Sequence, residues 1–463
     1  MVEALLRHLD RKAIPLHVPG HKGGLGLDPA LAPWLANAAR LDLTELDGLD
    51  SLHAPQGPIA EAQELAAQLW KADRTFFLVG GSTVGVHAMI LATCNPGDTV
   101  LLPRDAHMSA HGGLILAGAM PVYLPPSPTG TGGWGPPSQD VLSRAIAAHH
   151  PKAVLLTRPS YAGDVFDLAP YAEHVHAAGA SLLVDEAHGA HLGLHPALPP
   201  SALAMGADAV VQSTHKMLGA LTPGAMLHLK GPRLSPSRMQ RALGLLQTSS
   251  PSYLVLASLD AARRHEATAP SERWERPLRW AAEARAAIAA LPGLVALPPG
   301  DPLKIALDVS ETGFDGYEAA DLLAEHGVIV EHATHRHVVA FMGPGTRPED
   351  LLVLTEACEA LAHQARDDHN SLQRDDLPMP PLPPLAVPPR EAFFAESRSV
   401  AWESSVGEVA AELVCPYPPG APALVPGERI TREVVEYVDG LRSLGAQLAG
   451  PADPTLSMIR ILA

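Results

Sequence analysis

Residues 181–218 read SLLVDEAHGAHLGLHPALPPSALAMGADAVVQSTHKML, and they are the part of the sequence that indicates the fold most clearly. It holds two short apolar runs, SLLVD (181–185) and AVVQS (209–213), which are both followed by polar residues. Continuous apolar runs of this length are typical of strands buried on both faces of a parallel sheet. Open α/β sheets bind ligands at the carboxyl ends of their strands. Asp185 and Lys216 stand at these two predicted ends.

The same alternation of apolar runs and helical patterns covers most of the chain. The other runs of the first part are TFFLV (75–79), TVLLP (99–103), PVYL (121–124), AVLLT (153–157) and AMLHL (225–229). Helical patterns lie between most of them, at 84–94, 139–149 and 170–178. We therefore predict an α/β fold whose main sheet is largely parallel and covered by helices on both faces.

The rest of the chain predicts further domains. A long helical stretch at about 251–291 is followed by smaller α/β patterns, with strands at 304–310, 328–333 and 338–342 and helices at about 316–326 and 348–365. A helix is also expected at 404–413, and another near the C-terminus. The expected organisation is an irregular Gly-, Pro- and His-rich arm (1–60), a large domain (61–290), a small α/β domain (291–373), a proline-rich linker (374–390) and a C-terminal α+β domain (391–463).

Composition narrows the class of function. The chain has 463 residues, 33 basic against 50 acidic, and a formal net charge of −17, which argues against nucleic acid or an anionic membrane as partner. Its three cysteines are far apart in sequence and form no CxxC pair, as expected in a reducing cytoplasm. We find no signal-peptide core and no apolar run long enough to span a membrane.

A possible phosphate-binding turn follows the first predicted strand. Gly80, Gly81, Ser82 and Thr83 lie between TFFLV and a predicted helix. Small residues, hydroxyls and a helix N-terminus together bind phosphate, but Ser82 or Thr83 could equally serve only as the N-cap of the helix. The P-loop pattern GxxxxGK[ST] does not occur in the sequence.

Three further strand ends carry groups suited to an aldehyde cofactor. His107 could stack on a flat ring, and the carboxylate of Asp185 could pair with a protonated pyridine nitrogen. Burial and nearby positive charge would favour the free amine of Lys216, which Schiff-base formation needs. Each residue alone also has an ordinary explanation as a loop or capping residue. Their joint occurrence at successive strand ends indicates a pyridoxal phosphate (PLP) enzyme of fold type I.

Several longer blocks resemble the Orn/Lys/Arg decarboxylase family, which has the aspartate-aminotransferase fold. These blocks are PLHVPGHKGG (15–24), DLTELDGLDSLHAPQGPIAEAQ (42–63), LLVDEAHGAHLGLH (182–195), STHKML (213–218), TSSPSYLVLASLDAAR (248–263) and PYPPGAPALVPGE (416–428). The length resembles the short form without an N-terminal wing domain. The resemblance implies PLP as cofactor and a basic amino acid as substrate, with arginine slightly preferred over lysine and ornithine. It also implies a role in polyamine metabolism and a homodimer or higher homo-oligomer.

The resemblance also implies a role for each site residue. Lys216 matches the Schiff-base lysine, Asp185 the partner of the pyridine nitrogen, His107 the stacked imidazole and His188 a histidine close to the ring. Ser82, Thr83, Ser213 and His215 match residues around the phosphate. The segment 248–252 would reach the phosphate from a neighbouring subunit. Glu428 is the candidate for binding the distal cation of the substrate.

Two positions depart from the family pattern, and three other interpretations remain. Pro223 stands where relatives often have Gln, and Met108 where they often have Lys. The chain could instead be another PLP enzyme, such as an aminotransferase or carbon–sulfur lyase, or an inactive PLP-fold regulatory protein. A metal site at Glu331, His332, His335 and His337 is a weaker alternative to an exposed turn.

Overall fold

The computed structural model describes residues 1–131, 133–298, 300–365, 379–417 and 420–463. The helices are α1 (Val2–Asp10), α2 (Ala32–Ala39), α3 (Pro58–Trp70), α4 (Gly81–Thr93), α5 (Met108–Ala117), α6 (Gln139–His149), α7 (Ala169–Ala177), α8 (Thr214–Met217), α9 (Pro236–Leu246), α10 (Tyr253–Thr268), α11 (Glu272–Ile288), α12 (Gly316–Glu325), α13 (Pro348–His363), α14 (Pro389–Phe394) and α15 (Arg432–Ser443). The strands are β1 (Arg74–Leu78), β2 (Thr99–Pro103), β3 (Met120–Leu124), β4 (Ser127–Pro128), β5 (Trp134–Gly135), β6 (Ala153–Thr157), β7 (Ser181–Asp185), β8 (Ala209–Gln212), β9 (Ala225–Leu229), β10 (Val295–Leu297), β11 (Lys304–Asp308), β12 (His332–Ala333), β13 (His337–Phe341), β14 (Ser397–Ala401), β15 (Cys415–Tyr417), β16 (Gln447–Ala449) and β17 (Met458–Leu462).

The chain divides into two compact units. The first comprises Met1–Thr93 and Ser181–Pro270, and the second comprises Cys94–Ala180 and Ser271–Ala463. The predicted domain boundaries at residues 60, 290, 373 and 390 stay a prediction.

The first unit contains four adjacent strands in the order β1-β9-β8-β7. β7 and β8 are parallel, whereas β9 runs antiparallel to both β8 and β1. Helix α4 packs closely on these strands because Gly85 has no side chain. A Cβ atom there would lie 2.4 Å from Cγ2 of Val211 and 2.8 Å from Cδ1 of Leu78. This close packing holds the first turns of α4 against β1 and β8.

The second unit contains the parallel strands β6-β2-β3 and an antiparallel sheet in the order β10-β11-β13-β12. A buried apolar cluster that includes Ile288, Ile305 and Leu354 joins α11, β11 and α13. A second cluster, which includes Trp402, Leu424 and Ile459, forms the core of the C-terminal region. The alternation of strands and helices predicted from the sequence is confirmed, with mainly parallel pairing in its central part.

The prediction of an irregular arm over residues 1–60 was wrong in two places. Helix α1 forms because Ala4 and Leu5 are buried and the Met1 amino group pairs with Asp260 at 2.8 Å. Helix α2 begins after a series of turns and has a proline near its N-terminus, where a missing backbone N–H costs least. Residues 2–10 do have an amphipathic helical pattern. The high glycine and proline content of the rest of the arm led to the prediction of an irregular segment.

The helix predicted at 404–413 does not form. Val409 and Ala410 instead make isolated β-bridges with Arg429 and Ile461, and Gly407 has a left-handed φ of 91°. The predicted strand at 328–333 is also shorter, since only His332–Ala333 pairs as β12. The long helical stretch divides into α10 and α11, on either side of Pro270.

The predicted proline-rich linker falls partly outside the described residues, at 374–378. From residue 379 to residue 388 it forms neither a helix nor a strand, apart from an isolated β-bridge of Leu385, and α14 begins at Pro389. This part is hydrogen-bonded to the segment before Glu428. The backbone amides of Ala386 and Val387 both donate to the carbonyl of Gly427, at 2.8 and 3.1 Å.

Candidate active site

The carboxyl ends of β7 and β8 lie side by side in the first unit. Asp185 is level with Val211, and the amide of Glu186 donates to the Val211 carbonyl at 2.9 Å. The amide of Ser213 donates to the Ala187 carbonyl at 3.3 Å. Parallel pairing therefore brings together the two predicted site loops that the sequence separates.

Lys216 lies in α8, directly after β8. Its Nζ atom is 2.9 Å from Nε2 of His188. His188 is 7% exposed and comes from the loop after β7. The structure therefore places an amine and an imidazole within proton-transfer distance at the strand ends where the sequence predicted both.

Asp185 occupies the last position of β7 and is 6% exposed. One carboxylate oxygen, Oδ1, accepts a hydrogen bond from the Ala187 amide at 3.1 Å. A carboxylate this deeply buried is stabilised by a cationic or proton-donating partner. A protonated pyridine nitrogen beside Asp185 would be a partner of that kind.

Ser213 has a buried hydroxyl that is not satisfied by the protein. Its Oγ atom has no hydrogen-bond partner among the described residues, although the residue is 1% exposed. Buried polar atoms of this kind usually have a partner, and an anionic ligand would supply one.

The neutral imidazole of His215 cannot donate a hydrogen bond from Nε2 to a phosphate. Its Nδ1 donates to the carbonyl of Gly224 at 2.8 Å, so the neutral ring has a lone pair at Nε2. Burial lowers the pKa of His215, and Lys216 lowers it further. His215 would therefore donate from Nε2 to a phosphate only when protonated.

The predicted phosphate turn forms the first turn of α4. The helix begins at Gly81, so Ser82 and Thr83 lie within its first turn and not at an N-cap position before residue 84. Gly81 has a left-handed φ of 76°, and a Cβ atom there would lie 3.7 Å from Cβ of Pro223. The departure from the family pattern at Pro223 is therefore adjacent to the phosphate turn.

The second unit holds the other predicted site residues, His107 and Glu428. His107 is the N-cap of α5, and its Nδ1 accepts a hydrogen bond from the Ser109 amide at 3.2 Å. Glu428 is fully buried and paired with Arg104, with Nη1–Oε1 and Nη2–Oε2 distances of 2.7 and 2.9 Å. Its use as a substrate ligand stays a prediction, and its carboxylate already has a cationic partner within the chain.

A buried polar row across the strands was missed by the sequence analysis. Glu186 accepts from Nε2 of Gln212 at 2.7 Å, and Oε1 of Gln212 lies 3.2 Å from Nε2 of His228. His228 Nδ1 lies 2.8 Å from the hydroxyl of Thr75. The row links the end of β7 with β8, β9 and β1. Its only sequence signal was the presence of polar residues inside apolar runs.

The described residues also bear on a metal site and on membrane-spanning helices. They contain no group of three or more His, Cys, Asp or Glu side chains arranged to hold a metal ion, including the predicted cluster at 331–337. None of the helices within the described ranges combines the length and the apolar run that crossing a bilayer requires.

The residues of the first unit fit PLP. The amine of Lys216 suits the aldehyde and the buried Asp185 carboxylate suits the ring nitrogen. The unsatisfied hydroxyl of Ser213 and the N-terminus of α4 suit the phosphate.

Known proteins support this assignment. A family model described as Orn/Lys/Arg decarboxylase, major domain, matches residues 1–307, and that of the C-terminal domain matches residues 378–453. The arginine decarboxylase of Bacillus subtilis (strain 168) is 34% identical over 99% of this chain and 96% of its own length. The lysine decarboxylase of Hafnia alvei is 24% identical over 97% of this chain and 75% of its own.

A solved structure shares the fold over the whole chain. The Escherichia coli constitutive lysine decarboxylase superposes with a TM-score of 0.84 at 21% sequence identity, covering 100% of this chain and 81% of the other. The predicted fold-type I architecture is confirmed. The chain belongs to the Orn/Lys/Arg decarboxylase family, and it is a carboxy-lyase that uses PLP to decarboxylate a basic amino acid.

Proposed function

We propose that the basic amino acid is arginine and that the products are agmatine and carbon dioxide. The arginine decarboxylase of B. subtilis is 34% identical to this chain, whereas the lysine decarboxylase of H. alvei is 24% identical. The match to the arginine enzyme also covers 99% of this chain and 96% of that enzyme, whereas the match to the lysine enzyme covers 75% of the latter.

The contact between Lys216 and His188 carries the proposed chemistry. When bound, PLP supplies an electron sink for the electron pair released as the bond between Cα and the carboxylate breaks. Lys216 provides the amine that holds the cofactor. His188 lies 2.9 Å from that amine and can hold or return the proton that Cα needs after carbon dioxide leaves.

The other predicted residues hold the cofactor. Asp185 would keep the pyridine nitrogen protonated, which makes the ring a better sink. Ser213 would donate its hydroxyl to the phosphate, together with Ser82 and Thr83 from the first turn of α4. His107 would stack on the ring.

We also propose a homodimer whose partner subunit contributes segment 248–252 to the phosphate site. Residues 248–250 are exposed, so they are accessible to a second copy. The arm supports the dimer because it exposes several large apolar side chains, which protein surfaces rarely leave uncovered in such number. They are Ile14, Leu16, Val18, Leu25 and Trp34, at 65–91% exposure. The cytoplasmic location expected from the cysteines stays a prediction.

A substrate panel tests the proposal. The purified protein, loaded with PLP, is given arginine, lysine or ornithine, and released carbon dioxide and amine products are measured. We expect kcat/KM for arginine to exceed the other two by at least about tenfold, a difference of about 1.4 kcal/mol in transition-state stabilisation.

Other outcomes of the panel have distinct meanings. A preference for lysine or ornithine would overturn the choice of substrate but not the reaction. Keto acid without carbon dioxide would indicate an aminotransferase. A cofactor spectrum without turnover on any of the three would support the inactive regulatory protein.

A further inference from the structure

The turn that carries His107 connects β2 to α5. Because His107 is the N-cap of α5, with its Nδ1 accepting from the Ser109 amide at 3.2 Å, its ring direction follows the position of this turn. The Ser109 hydroxyl lies 2.9 Å from the same nitrogen and constrains the ring further. Whatever fixes the turn therefore also fixes the imidazole.

The C-terminal region binds this turn at two points. Arg104, which is 3% exposed, donates two hydrogen bonds to Glu428, at 2.7 and 2.9 Å, and a third to the Ala423 carbonyl at 2.9 Å. The amide of Met108 donates to the carbonyl of Gly420 at 2.9 Å. The predicted ring-stacking residue thus lies between two C-terminal contacts.

The same region also holds the far end of α5. Arg390, in α14, donates to the carbonyls of Ile115 and Leu116 at 3.0 and 2.7 Å. These carbonyls belong to the last turn of α5, where a cation is favourable. The C-terminal region consequently contacts both ends of the helix that His107 caps.

Arg104 is fixed on its other side by aromatic residues. Its guanidinium carbon lies 4.9 Å from the ring centroid of Tyr123. The Tyr123 hydroxyl lies 3.0 Å from Nδ1 of His111, which is 2% exposed. Removing one member of a buried ion pair of this kind leaves an uncompensated charge.

Glu428 is held by the protein as firmly as its partner. Its Oε2 also accepts from the Val425 amide at 3.0 Å, and its backbone bridges to Leu385. Both carboxylate oxygens are therefore engaged within the chain. An exposed, unpaired carboxylate would suit a substrate cation better.

We propose that Glu428 is a positioning residue, which acts through Arg104 to hold the His107 turn and so to set the imidazole against the cofactor ring. This assignment replaces substrate binding as the role of Glu428. It rests on the proposed stacking role of His107, which the experiment below tests separately.

The test uses Glu428→Gln, which keeps the shape of the side chain and removes its charge. In the PLP-free protein, amide hydrogen exchange over residues 104–110 should quicken by about tenfold or more as the turn loosens. The Kd for PLP should rise by about tenfold. The control is Glu408→Gln, which removes an ion pair of the same region, between Arg398 and Glu408 at 3.1 Å, that is about half exposed. It should change neither quantity.

A second variant and a second background complete the test. Arg104→Lys keeps the charge but loses the bidentate hydrogen bonding to Glu428, so exchange and the PLP Kd should change in the same direction but less. This variant keeps the test decisive if Glu428→Gln does not fold. In a His107→Ala background, Glu428→Gln should no longer raise the PLP Kd, although it should still quicken exchange.

The outcomes separate the two ideas. Unchanged exchange over 104–110 in both Glu428→Gln and Arg104→Lys would overturn the positioning role. A higher KM for arginine with unchanged exchange and PLP Kd would return Glu428 to substrate binding. If His107→Ala alone leaves the PLP Kd unchanged, the stacking role of His107 fails, whatever the exchange data show.

Discussion

At the scale of single residues, the clearest link between structure and cofactor is a hydroxyl that the protein does not use. Ser213 is buried, and its Oγ has no partner within the described ranges. Its neighbours Asp185, His188 and Lys216 follow the same pair of parallel strands. The sequence could predict these residues because each directly follows an apolar run, and parallel strands bring their carboxyl ends together.

Ser213→Ala should weaken PLP binding without harming the protein itself. Losing one hydrogen bond to a charged phosphate should raise the PLP Kd by about tenfold to a hundredfold. The stability of the PLP-free protein should be unchanged or slightly higher, since a buried unsatisfied hydroxyl is removed. Fluorescence titration and urea unfolding of the PLP-free protein measure the two effects.

Ser405→Ala is the matched control. Ser405 is also fully buried, but its hydroxyl donates to the Trp402 carbonyl at 2.6 Å. This variant should lose stability and keep its PLP Kd. The reverse behaviour of the two variants would contradict the assignment of Ser213.

Other residues could not be placed from the sequence. Arg104 directly follows the apolar run 99–103, but its partner Glu428 is distant in sequence, and no local pattern indicates such a pair. The exact role of Glu428 was likewise unreadable, because a carboxylate near the C-terminus can face a substrate or a buried cation. Only the fold brings Arg104 and Glu428 to 2.7 Å.

At the scale of elements, a polar row ties together four neighbouring strands of the first unit. His228 in β9 lies between Thr75 of β1 and Gln212 of β8, and Gln212 donates to Glu186 after β7. Apolar runs predicted these strands well. They gave no indication that β9 would be antiparallel or that its histidine would be buried.

His228 predicts how stability depends on pH. Burial lowers the pKa of His228 from 6.5 to about 3. Between these two pH values the imidazole is therefore protonated in the unfolded chain and neutral in the folded protein. Its contribution to stability is therefore complete above pH 6.5 and is lost as the pH falls towards 3. Between pH 6 and 4, His228→Gln should reduce the slope of unfolding free energy against pH by about 1.4 kcal/mol per unit.

Urea unfolding of the PLP-free protein at several pH values measures that slope. His326→Gln, on an exposed helix end, is the control variant. An unchanged slope in His228→Gln would show that His228 is protonated in the folded protein, against the structure.

Elements were mispredicted where local composition and tertiary contacts disagree. The segment 404–413 has a helical pattern, but the left-handed φ of Gly407 and the β-bridges of Val409 and Ala410 are incompatible with a helix there. Helix α1 was hidden inside an arm rich in glycine and proline, and its N-terminus depends on a contact with Asp260. In both segments, contacts with residues far apart in sequence add to what local composition indicates.

At the scale of the whole molecule, the fold and the reaction follow from the combined sequence blocks and are supported by the relatives. The subunit assembly is the open part. The arm exposes apolar side chains that a second copy could cover, among them Leu16 at 90% and Trp34 at 83% exposure. Segment 248–250 is also exposed in the single chain.

A charged side chain on the arm should weaken the proposed dimer. Leu16→Asp should raise the dimer dissociation constant by at least about a hundredfold, because a carboxylate would be buried against an apolar surface. Sedimentation equilibrium measures the constant. Ile329→Asp, at a similarly exposed apolar position of 84% that lies outside both the arm and segment 248–252, tests whether the effect belongs to the arm. A monomeric wild-type protein, or a dimer unaffected by Leu16→Asp, would contradict this role.

Chemical trapping shows directly whether Lys216 carries the cofactor. The PLP-loaded protein is reduced with borohydride, which converts a lysine-linked cofactor into a stable adduct, and the modified peptide is identified by mass spectrometry. We expect one pyridoxyl group per chain, on Lys216, and none in Lys216→Ala. An adduct on another lysine, or none in a protein that turns over substrate, would contradict it.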